Sequence, residues 1–356
     1  MLGVVKQFKI EGNPVSCERY GNGHINVTYL LVCDNDRLYI LQMINKNTFK
    51  NVEALMGNIS AVTKFLQEKD GEARHVLHLV PTVDGNDFVK DENGEYWRMY
   101  DFITDSLCLD QPESADDFYE SAVAFGKFQN MLASFPAHTL FETIPNFHNT
   151  VSRYAQLREA IEKNPCGRLS QVQAEVDFAL ARENEAGTIC DKLATGELPL
   201  RVTHNDTKLN NVMLDKETRT ALCVIDLDTV MPGSALYDFG DSIRFGASTA
   251  VEDEQDLSKV NVDLSLFEAY TKGFLGTCAE SLTALEIELL PMGAKLMTLE
   301  CGVRFLTDYL MGDTYFRTHR EGHNLDRCRT QFKLVADMEN KWAEMNAIVK
   351  KIASEK

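Results

Sequence analysis

The stretch of this 356-residue chain that decides its fold runs from residue 200 to residue 245 and reads LRVTHNDTKLNNVMLDKETRTALCVIDLDTVMPGSALYDFGDSIRF. Two short apolar runs, 200–203 and 221–227, each lead into carboxylate side chains. Apolar runs of this length predict strands, so the side chains that follow them should enter one cleft. The polar residues concerned are Asp206, Asn211, Asp226 and Asp228.

These polar residues have the types and the order that phosphoryl transfer from ATP to a hydroxyl group requires. The reaction needs a carboxylate to orient and deprotonate the hydroxyl, oxygen ligands for Mg²⁺, and donors along the phosphates. Asp206 and Asn211 stand in the pattern H-x-D-x-x-x-x-N, and Asp226 follows the next predicted strand. Asparagine and aspartate provide oxygen ligands, which suit Mg²⁺ rather than zinc. Each residue alone fits a turn or a helix cap, whereas the ordered set indicates a phosphotransferase site.

Three further carboxylates in the stretch are predicted to have different roles. Side chains two residues apart lie on the same face of a strand, so Asp228 should point into the same cleft as Asp226 and bind substrate hydroxyls. Asp238 and Asp241 are expected instead to hold the loop, by accepting backbone N–H groups or by pairing with Arg244.

The composition indicates a soluble protein and argues against a nucleic-acid or membrane partner. Lys and Arg number 36 against 54 Asp and Glu, a formal net charge of −18, whereas phosphate backbones and anionic lipids require clustered cations. The nine cysteines include no C-x-x-C pair, which is typical of reduced thiols. We find no signal peptide and no apolar run long enough to span a bilayer, so we expect a cytoplasmic protein.

The chain changes character near residue 104. Before it lie strand patterns with turns, including a polar loop with Gly21 and Gly23, and one helical stripe from Asn51 to Lys69. After it, helical periodicity dominates outside the central stretch. The predicted helices are 116–135, 151–162, 171–194, 264–274, 283–311 and 325–352.

These motifs resemble the aminoglycoside phosphotransferase and choline kinase family, small-molecule relatives of the protein kinases. More closely, the segments GNGHIN, RVTHNDTKLNN, IDLDTVMPGSALYDFGDSIRFGAS and ECGVRFLTDYL are similar to those of bacterial N-acetylhexosamine 1-kinases. The resemblance implies an α+β, bilobal protein-kinase-like fold with a small β-rich N-lobe (1–103) and a larger, mainly helical C-lobe (104–356). It also implies that ATP, with Mg²⁺, phosphorylates GlcNAc or GalNAc at C1.

The resemblance also assigns roles to individual residues. Asp206 matches the catalytic base of the family, and Asn211 and Asp226 match its Mg²⁺ ligands. The hinge between the lobes, whose backbone meets adenine, matches the segment from Met99 to Ile103, which includes Asp101.

A second group of residues is implied to contact the phosphates or the sugar. Gly21 and Gly23 are expected to bring backbone N–H groups close to the phosphates. The residues expected near the sugar are His24, Asp228, Arg304 and Tyr315. Two of these have a plainer interpretation, because His24 fits a solvated loop and Arg304 could pair with Glu300 one helical turn away.

One position departs from the pattern of kinases in general. Gln42 stands in the strand 37–44 where kinases place a phosphate-binding lysine, so Glu53 at the start of the next helix would lack its ion-pair partner. A glutamine can donate a hydrogen bond to a phosphate oxygen, but it brings no charge. Two alternatives therefore stay open. One is a kinase of the same fold for another small alcohol, such as an amino sugar, an aminoglycoside or choline, and the other is a pseudokinase that binds without turnover.

Overall fold

The computed structural model describes residues 2–21 and 25–356, which form a small β-rich N-lobe and a larger helical C-lobe. A short helix, α1 (Leu2–Val5), precedes an antiparallel sheet with the strand order β1-β2-β3-β5-β4. The strands are β1 (Pro14–Arg19), β2 (Val27–Cys33), β3 (Leu38–Ile44), β4 (Val89–Lys90) and β5 (Tyr96–Asp101). Leu31, Leu41 and Met99 come from three neighbouring strands and are fully buried in one apolar cluster, so alternate residues turn one face of the sheet inward.

Helix α2 (Val52–Lys69) connects the sheet with the C-lobe. Asn51 caps its first turn, as predicted, because the Asn51 side chain accepts a hydrogen bond from the Ala54 N–H at 3.0 Å. The buried residues Leu55 and Ile59 belong to an apolar cluster that also contains Phe128 of the C-lobe. The position of α2 is therefore set by both lobes.

The C-lobe is built around one long helix. Its helices are α3 (Ala115–Met131), α4 (Thr150–Lys163), α5 (Gln173–Leu180), α6 (Thr188–Thr195), α7 (Ala235–Gly246), α8 (Leu264–Cys278), α9 (Ala284–Glu288), α10 (Leu290–Met311), α11 (His323–Asn340) and α12 (Trp342–Ser354). Helix α10 packs against α4, α7 and α11, and α3 packs against α8. Within the described residues, none of the helices is both long and apolar enough to cross a membrane.

Two small sheets carry the central stretch of the sequence. Their strands are β6 (Ser106–Leu107), β7 (Arg201–Thr203), β8 (Val212–Asp215), β9 (Ala221–Val224) and β10 (Met231–Gly233). β7 pairs with β10, and β8 lies between β6 and β9. Because Val212 pairs with Val224, the chain before β8 and the chain after β9 meet at the same end of the hairpin. The Ile225 N–H accordingly donates to the Asn211 carbonyl at 2.9 Å.

The α+β class is as predicted, whereas three predicted helices are each divided in two. The segment 171–194 forms α5 and α6, and the segment 325–352 forms α11 and α12, which meet at Lys341. The segment 283–311 forms α9 and α10, because Pro291 lacks an N–H group and favours the first turn of a new helix. The apolar period continues through these breaks since both halves pack on one core, so periodicity alone does not locate them.

Helices α7 and α10 approach closely at a pair of glycines, which generates a test of the packing. A Cβ atom added at Gly240 would lie 2.4 Å from the Gly293 carbonyl oxygen, and one added at Gly293 would lie 2.6 Å from the Leu236 carbonyl oxygen. We expect Gly240→Ala to lower the free energy of unfolding by about 1–3 kcal/mol, because the helices must separate to admit the methyl group. Thermal or denaturant unfolding measures the change.

Gly57→Ala is the matched control for this substitution. Gly57 lies in α2, is exposed, and has no heavy atom within 4 Å of its added Cβ. Alanine there should leave stability unchanged or raise it by about 0.5–1 kcal/mol, because alanine favours the helix more than glycine does. If Gly240→Ala stabilised the protein as Gly57→Ala does, the close approach of α7 and α10 would be refuted.

Candidate active site

The loop that follows β7 is fixed by a buried histidine. His204 has no exposed surface, and its Nε2 lies 2.8 Å from the Ile225 carbonyl oxygen. The backbone N–H of Asp206 donates to His204 Nδ1 at 3.3 Å. Both contacts are satisfied by the tautomer that carries the proton on Nε2. One imidazole therefore ties the backbone of Asp206 to the residue that precedes Asp226.

Asp238, in the first turn of α7, holds the same loop from another side. Its carboxylate accepts the backbone N–H groups of His204 at 2.9 Å and of Asn205 at 2.8 Å. The Gln129 amide donates a third hydrogen bond at 2.7 Å. Burial raises the pKa of Asp238, although these donors and His204 act in the opposite direction. A fully buried carboxylate thus takes up N–H groups of the loop that no regular element would satisfy.

Asp241, one turn later on α7, extends this support. Its Oδ2 accepts the Thr207 N–H at 3.1 Å, and its Oδ1 accepts a hydrogen bond from Arg244 Nε at 2.8 Å. The Thr207 hydroxyl donates to the Asp238 carbonyl oxygen at 2.6 Å. The predicted structural roles of Asp238 and Asp241, including the pairing with Arg244, are confirmed by these contacts.

Asp206 is the carboxylate that this anchored loop presents to the cleft. Its side chain is 31% exposed, and its Oδ1 lies 2.8 Å from Lys208 Nζ. Its Oδ2 accepts a hydrogen bond from Asn211 Nδ2 at 3.1 Å. Burial by itself would raise the pKa of Asp206. The neighbouring positive charges, of which Lys208 has the largest effect, outweigh burial and lower the pKa. The group is therefore an ionised acceptor that a substrate hydroxyl can approach.

Asn211 presents an unused oxygen beside this carboxylate. Its Nδ2 also donates to the Asp206 carbonyl oxygen at 2.8 Å, which fixes the orientation of the amide. Within the described residues, Asn211 Oδ1 accepts no hydrogen bond, so that it is available as a ligand. Hydrogen bonding between the chain before β8 and the chain after β9 brings this amide next to the segment that leads to Asp226.

Asp226 completes a donor set that fits Mg²⁺. It is exposed at the cleft and has a left-handed backbone, with φ 58° and ψ 60°. Two effects raise the pKa of Asp226 to about 6. The larger is desolvation of the carboxylate by the protein around it, and the second is repulsion by the negative charges of Asp228 and Asp206. A carboxylate crowded by like charges is stabilised by a cation. Mg²⁺ is usually held by one or two protein oxygens together with phosphates and water, and Asn211 with Asp226 would supply that number.

The structure places Asp228 differently from the predicted strand alternation. β9 ends before Asp226, and Asp228 lies in a 3-10 turn, Leu227–Thr229, so the expected common strand face is wrong. Asp228 is 4% exposed, and its two oxygens accept hydrogen bonds from Arg98 Nη1 and Asn26 Nδ2. Both donors belong to the N-lobe, so Asp228 connects the two lobes.

Gln42 and Arg98 are cross-strand neighbours on β3 and β5. Gln42 Oε1 accepts a hydrogen bond from Arg98 Nε at 2.9 Å, and Gln42 Nε2 donates to Thr28 Oγ1 at 3.0 Å. Arg98 is 1% exposed. Burial by itself would lower the pKa of Arg98. The negative charges around it, of which Asp228 has the largest effect, outweigh burial and raise the pKa, so the guanidinium stays charged.

The structure describes the residues predicted as the hinge and part of the predicted glycine turn. Ile103 is buried just after β5, and its backbone N–H makes no hydrogen bond within the described residues, whereas the Asp101 N–H donates to a backbone carbonyl at 3.0 Å. Gly21 has φ +71° and open space around its Cβ position, so its backbone can be approached closely. Gly23 and His24 lie outside the described residues.

Arg304 and Tyr315 come together on the C-lobe. The Arg304 guanidinium lies 5.6 Å from the Phe147 ring centroid, 5.9 Å from that of Tyr315 and 5.3 Å from that of Phe316. These distances are typical of cation–π contacts. Tyr315 is 68% exposed, so this aromatic group around Arg304 borders an open surface.

Glu300 pairs with His148 rather than with Arg304. His148 Nδ1 lies 3.0 Å from Glu300 Oε1, and the Thr150 hydroxyl donates to Glu300 Oε2 at 2.7 Å. His148 Nε2 in turn lies 3.2 Å from the Asn205 carbonyl oxygen. Helix α10, which carries Arg304, is therefore connected through one histidine to the loop of Asp206.

A buried carboxylate near the end of α10 fixes the loop that carries Tyr315. Asp308 is 4% exposed and accepts the backbone N–H groups of Thr314, Tyr315 and Phe316 at 2.8, 2.8 and 2.9 Å. The Asn324 amide donates a fourth hydrogen bond at 2.8 Å. The backbone of Tyr315 is thereby held in place relative to α10.

Three residues of the site were not predicted from the sequence: Asn26, Arg98 and Lys208. Lys208 has a usable signal, because it stands two residues after Asp206 in the same loop. Asn26 ends the segment GNGHIN, but nothing in the sequence connects Asn26 or Arg98 with Asp228, because they are 202 and 130 residues from it and only the packing of the lobes brings them together.

Comparison with known proteins gives one family and one fold. A model of the phosphotransferase enzyme family (APH) matches residues 16–271. A microcompartment-associated aminopropanol kinase has 18% identity and a TM-score of 0.57, with 97% of each chain covered. An aminoglycoside phosphotransferase from Alicyclobacillus acidocaldarius has 11% identity and a TM-score of 0.60, covering 100% of this chain and 97% of that one. Amicoumacin kinase hAmiN, in a complex with AMP-PNP, Ca²⁺ and Ami, has 12% identity and a TM-score of 0.61, with 96% and 92% covered. The protein-kinase-like fold is therefore confirmed.

The three hydrogen bonds accepted by Asp238 predict a strong local effect of its neutralisation. Asp238→Asn replaces one acceptor oxygen by an N–H donor that faces other donors. We expect the free energy of unfolding to fall by about 1–3 kcal/mol. Hydrogen exchange should also accelerate at the amides of His204 and Asn205. Denaturant unfolding and amide exchange measure the two effects.

Asp263→Asn is the matched control at another helix start. Asp263 caps α8 by accepting the N–H groups of Ser265 and Leu266, and asparagine caps a helix equally well. This variant should keep the stability of the wild type. Unchanged exchange at 204–205 in Asp238→Asn would show that Asp238 does not hold the loop.

Proposed function

This chain belongs to the phosphotransferase enzyme family, and from that premise we propose that it transfers a phosphoryl group from ATP to the C1 hydroxyl of an N-acetylhexosamine, GlcNAc or GalNAc. The activity of a small-molecule phosphotransferase follows from the family. The observation that carries the proposal is the fixed loop on which Asp206 contacts both Lys208 and Asn211. The sugar is supported by the sequence resemblance of the segments 201–211 and 225–248.

In the proposed reaction, Asp206 is the base. Its carboxylate accepts a hydrogen bond from the C1 hydroxyl and orients the oxygen toward the γ-phosphorus. The proton passes to Asp206 as the new O–P bond forms and the bond to the leaving ADP breaks. Lys208, 2.8 Å from Asp206, is placed to balance negative charge on the transferred group.

Asn211 and Asp226 would hold Mg²⁺ in this reaction. When bound, the ion supplies positive charge that stabilises the phosphate oxygens. The protein contributes the spacing of the two ligands. The hydrogen bond from the Ile225 N–H to the Asn211 carbonyl, at 2.9 Å, joins the two ligand segments, and His204 ties the Asp206 backbone to the same Ile225.

The remaining residues divide between nucleotide and sugar. We assign the Ile103 N–H and the Asp101 carbonyl to adenine, and the turn with Gly21 and Gly23 to the phosphates. The residues assigned to the sugar are His24, Asp228, Arg304 and Tyr315. A sugar hydroxyl would have to share the Asp228 oxygens with Arg98 and Asn26.

A kinase for a different small alcohol is the second candidate. The solved relatives include an aminopropanol kinase and amicoumacin kinase. The net charge of −18 suits a cationic amino alcohol. A pseudokinase is disfavoured, because a base and two oxygen ligands stand in the order that catalysis requires.

Acceptor and base are tested together. With ATP and Mg²⁺, GlcNAc and GalNAc should each stimulate ADP release and yield an acid-labile sugar 1-phosphate. Asp206→Asn should lower kcat by on the order of 10²–10⁴-fold, because it removes the proton acceptor. ATP should bind this variant no more weakly than the wild type, since a negative charge near the phosphates has been removed.

The control is Asp36→Asn, which makes the same chemical change in an exposed turn. Asp36 has φ 60°, a conformation that asparagine tolerates, so full activity should remain. Turnover of aminopropanol or an aminoglycoside without turnover of either hexosamine would exclude the sugar and keep the kinase. An active Asp206→Asn variant would exclude Asp206 as the base.

The anchoring of the Tyr315 loop predicts a selective defect. Asp308→Asn should raise KM for the sugar by on the order of tenfold and leave ATP affinity unchanged, because a lost carboxylate acceptor frees the loop backbone. Initial rates at varied sugar and saturating ATP measure this. Asp263→Asn again serves as the control. Equal increases in KM for sugar and ATP would argue against a role confined to the sugar side.

A further inference from the structure

A row of three polar side chains crosses the N-lobe sheet and ends at the interlobe contact. Thr28, Gln42 and Arg98 are register partners on β2, β3 and β5. Gln42 donates to the Thr28 hydroxyl and accepts from Arg98 Nε, at 3.0 and 2.9 Å. Both ends of the glutamine amide are therefore engaged within the sheet. Its role in this arrangement is to orient Arg98.

Arg98 has the charge that Gln42 lacks, and it keeps donors for a second acidic partner. A guanidinium has five N–H donors in a planar fork. Nε donates to Gln42, and Nη1 donates to Asp228. Nη2 makes no hydrogen bond within the described residues. A planar fork with unused donors matches an anion that presents several oxygens, such as a phosphate.

Helix α2 places no carboxylate against this guanidinium. Met56 faces it, with Sδ 4.0 Å from Arg98 Nη1. Glu53, one turn earlier, is exposed and forms no ion pair within the described residues. The charge of Arg98 therefore acts on carboxylates of the C-lobe, Asp228 first and then Asp226.

The charges of the cleft require a cation on the N-lobe side. Asp206, Asp226 and Asp228 bring three carboxylates together, and the negative charges of Asp228 and Asp206 both act on Asp226. Lys208 pairs with Asp206 on the C-lobe side. The phosphates of ATP add further negative charge, which a low-dielectric cleft accepts only when cations face it.

We propose that Arg98 is the phosphate-binding cation of the N-lobe, which replaces the lysine that kinases in general carry at the position of Gln42. Arg98 shares its guanidinium between Asp228 and the phosphates of ATP. Gln42 is then a positioning residue for Arg98 rather than a phosphate ligand. The inference rests on the proposed function, because it assumes that ATP is the phosphoryl donor.

The competing explanation is that Arg98 only neutralises Asp228. The two explanations differ when the ion pair is broken from either side. If Arg98 serves Asp228 alone, the loss of Arg98 no longer affects ATP binding once Asp228 has also been neutralised. If Arg98 binds phosphate, neutralising Asp228 releases the guanidinium to the nucleotide, whereas neutralising Arg98 removes the ligand.

Equilibrium titration of ATP and of adenosine, with Mg²⁺ present, separates them. Arg98→Gln should lower the affinity for ATP by on the order of ten- to a hundredfold, the value of a charge-assisted hydrogen bond to phosphate. The affinity for adenosine should not change. Asp228→Asn should bind ATP at least as tightly as the wild type. Adenosine lacks phosphates, so its binding reports an intact adenine site in every variant.

Two double variants serve as controls: one avoids an unpaired buried charge that could unfold the protein, and the other tests whether a new cation restores ATP affinity. Arg98→Gln alone leaves Asp228 buried without its partner, which can unfold the N-lobe. Arg98→Gln with Asp228→Asn leaves no unpaired charge, and compared with Asp228→Asn it should show the same loss of ATP affinity. Arg98→Gln with Gln42→Lys returns a cation to β3 and should recover on the order of tenfold in ATP affinity.

The outcomes are distinct. Equal loss of ATP affinity in Arg98→Gln and Asp228→Asn would overturn the proposal. So would an unchanged ratio of ATP to adenosine affinity when Arg98→Gln is added to Asp228→Asn. Equal affinity of the wild type for adenosine and ATP would likewise overturn the role of Arg98, whereas a wild type that binds no ATP would refute the proposed function itself. ATP binding by the wild type that survives loss of Arg98 would refute the role of Arg98 alone.

Discussion

The buried contact between Arg98 and Asp228 is the interaction on which the relation between the two lobes depends. Withdrawing a pair of charges from water costs several kcal/mol per ion, which only a well-held partner can offset. Gln42 holds the guanidinium from within the sheet, and Asn26 holds the second carboxylate oxygen. Because neither charge can remain buried alone, the sheet is fixed against the segment that carries Asp226.

Within the C-lobe, one physical device occurs twice. A buried aspartate on a helix collects the backbone N–H groups of a neighbouring loop, and that loop carries a side chain of the site. Asp238 on α7 does this for the loop of Asp206, and Asp308 on α10 does it for the loop of Tyr315. Such donors cannot be left unpaired once buried, so the carboxylates determine the course of both loops. Helices α7 and α10 pack directly on each other, so a single helix contact positions the base relative to the aromatic surface.

Local patterns in the sequence predict the construction of the central loop where the contacts are local. The spacing of Asp206 and Asn211 places both in one loop, and Asp238 with Asp241 were correctly assigned to hold it. The strand alternation assumed for Asp228 fails, because the chain turns left-handed at Asp226 and leaves the strand. Three of the predicted helices are each two helices in the structure, since the apolar period does not change where one helix ends and another begins.

The sequence by itself determines which residues are present for chemistry, in what order they follow the strands, and the α+β class that carries them. Only the tertiary structure decides which charge meets which. Arg98 and Asp228 are 130 residues apart and belong to different lobes, so no periodic pattern relates them. A buried ion must find its counterpart wherever packing brings one, and that choice is made by the whole fold. In the sequence, Gln42 stands where a positive charge is missing. In the structure, its amide orients the guanidinium of Arg98.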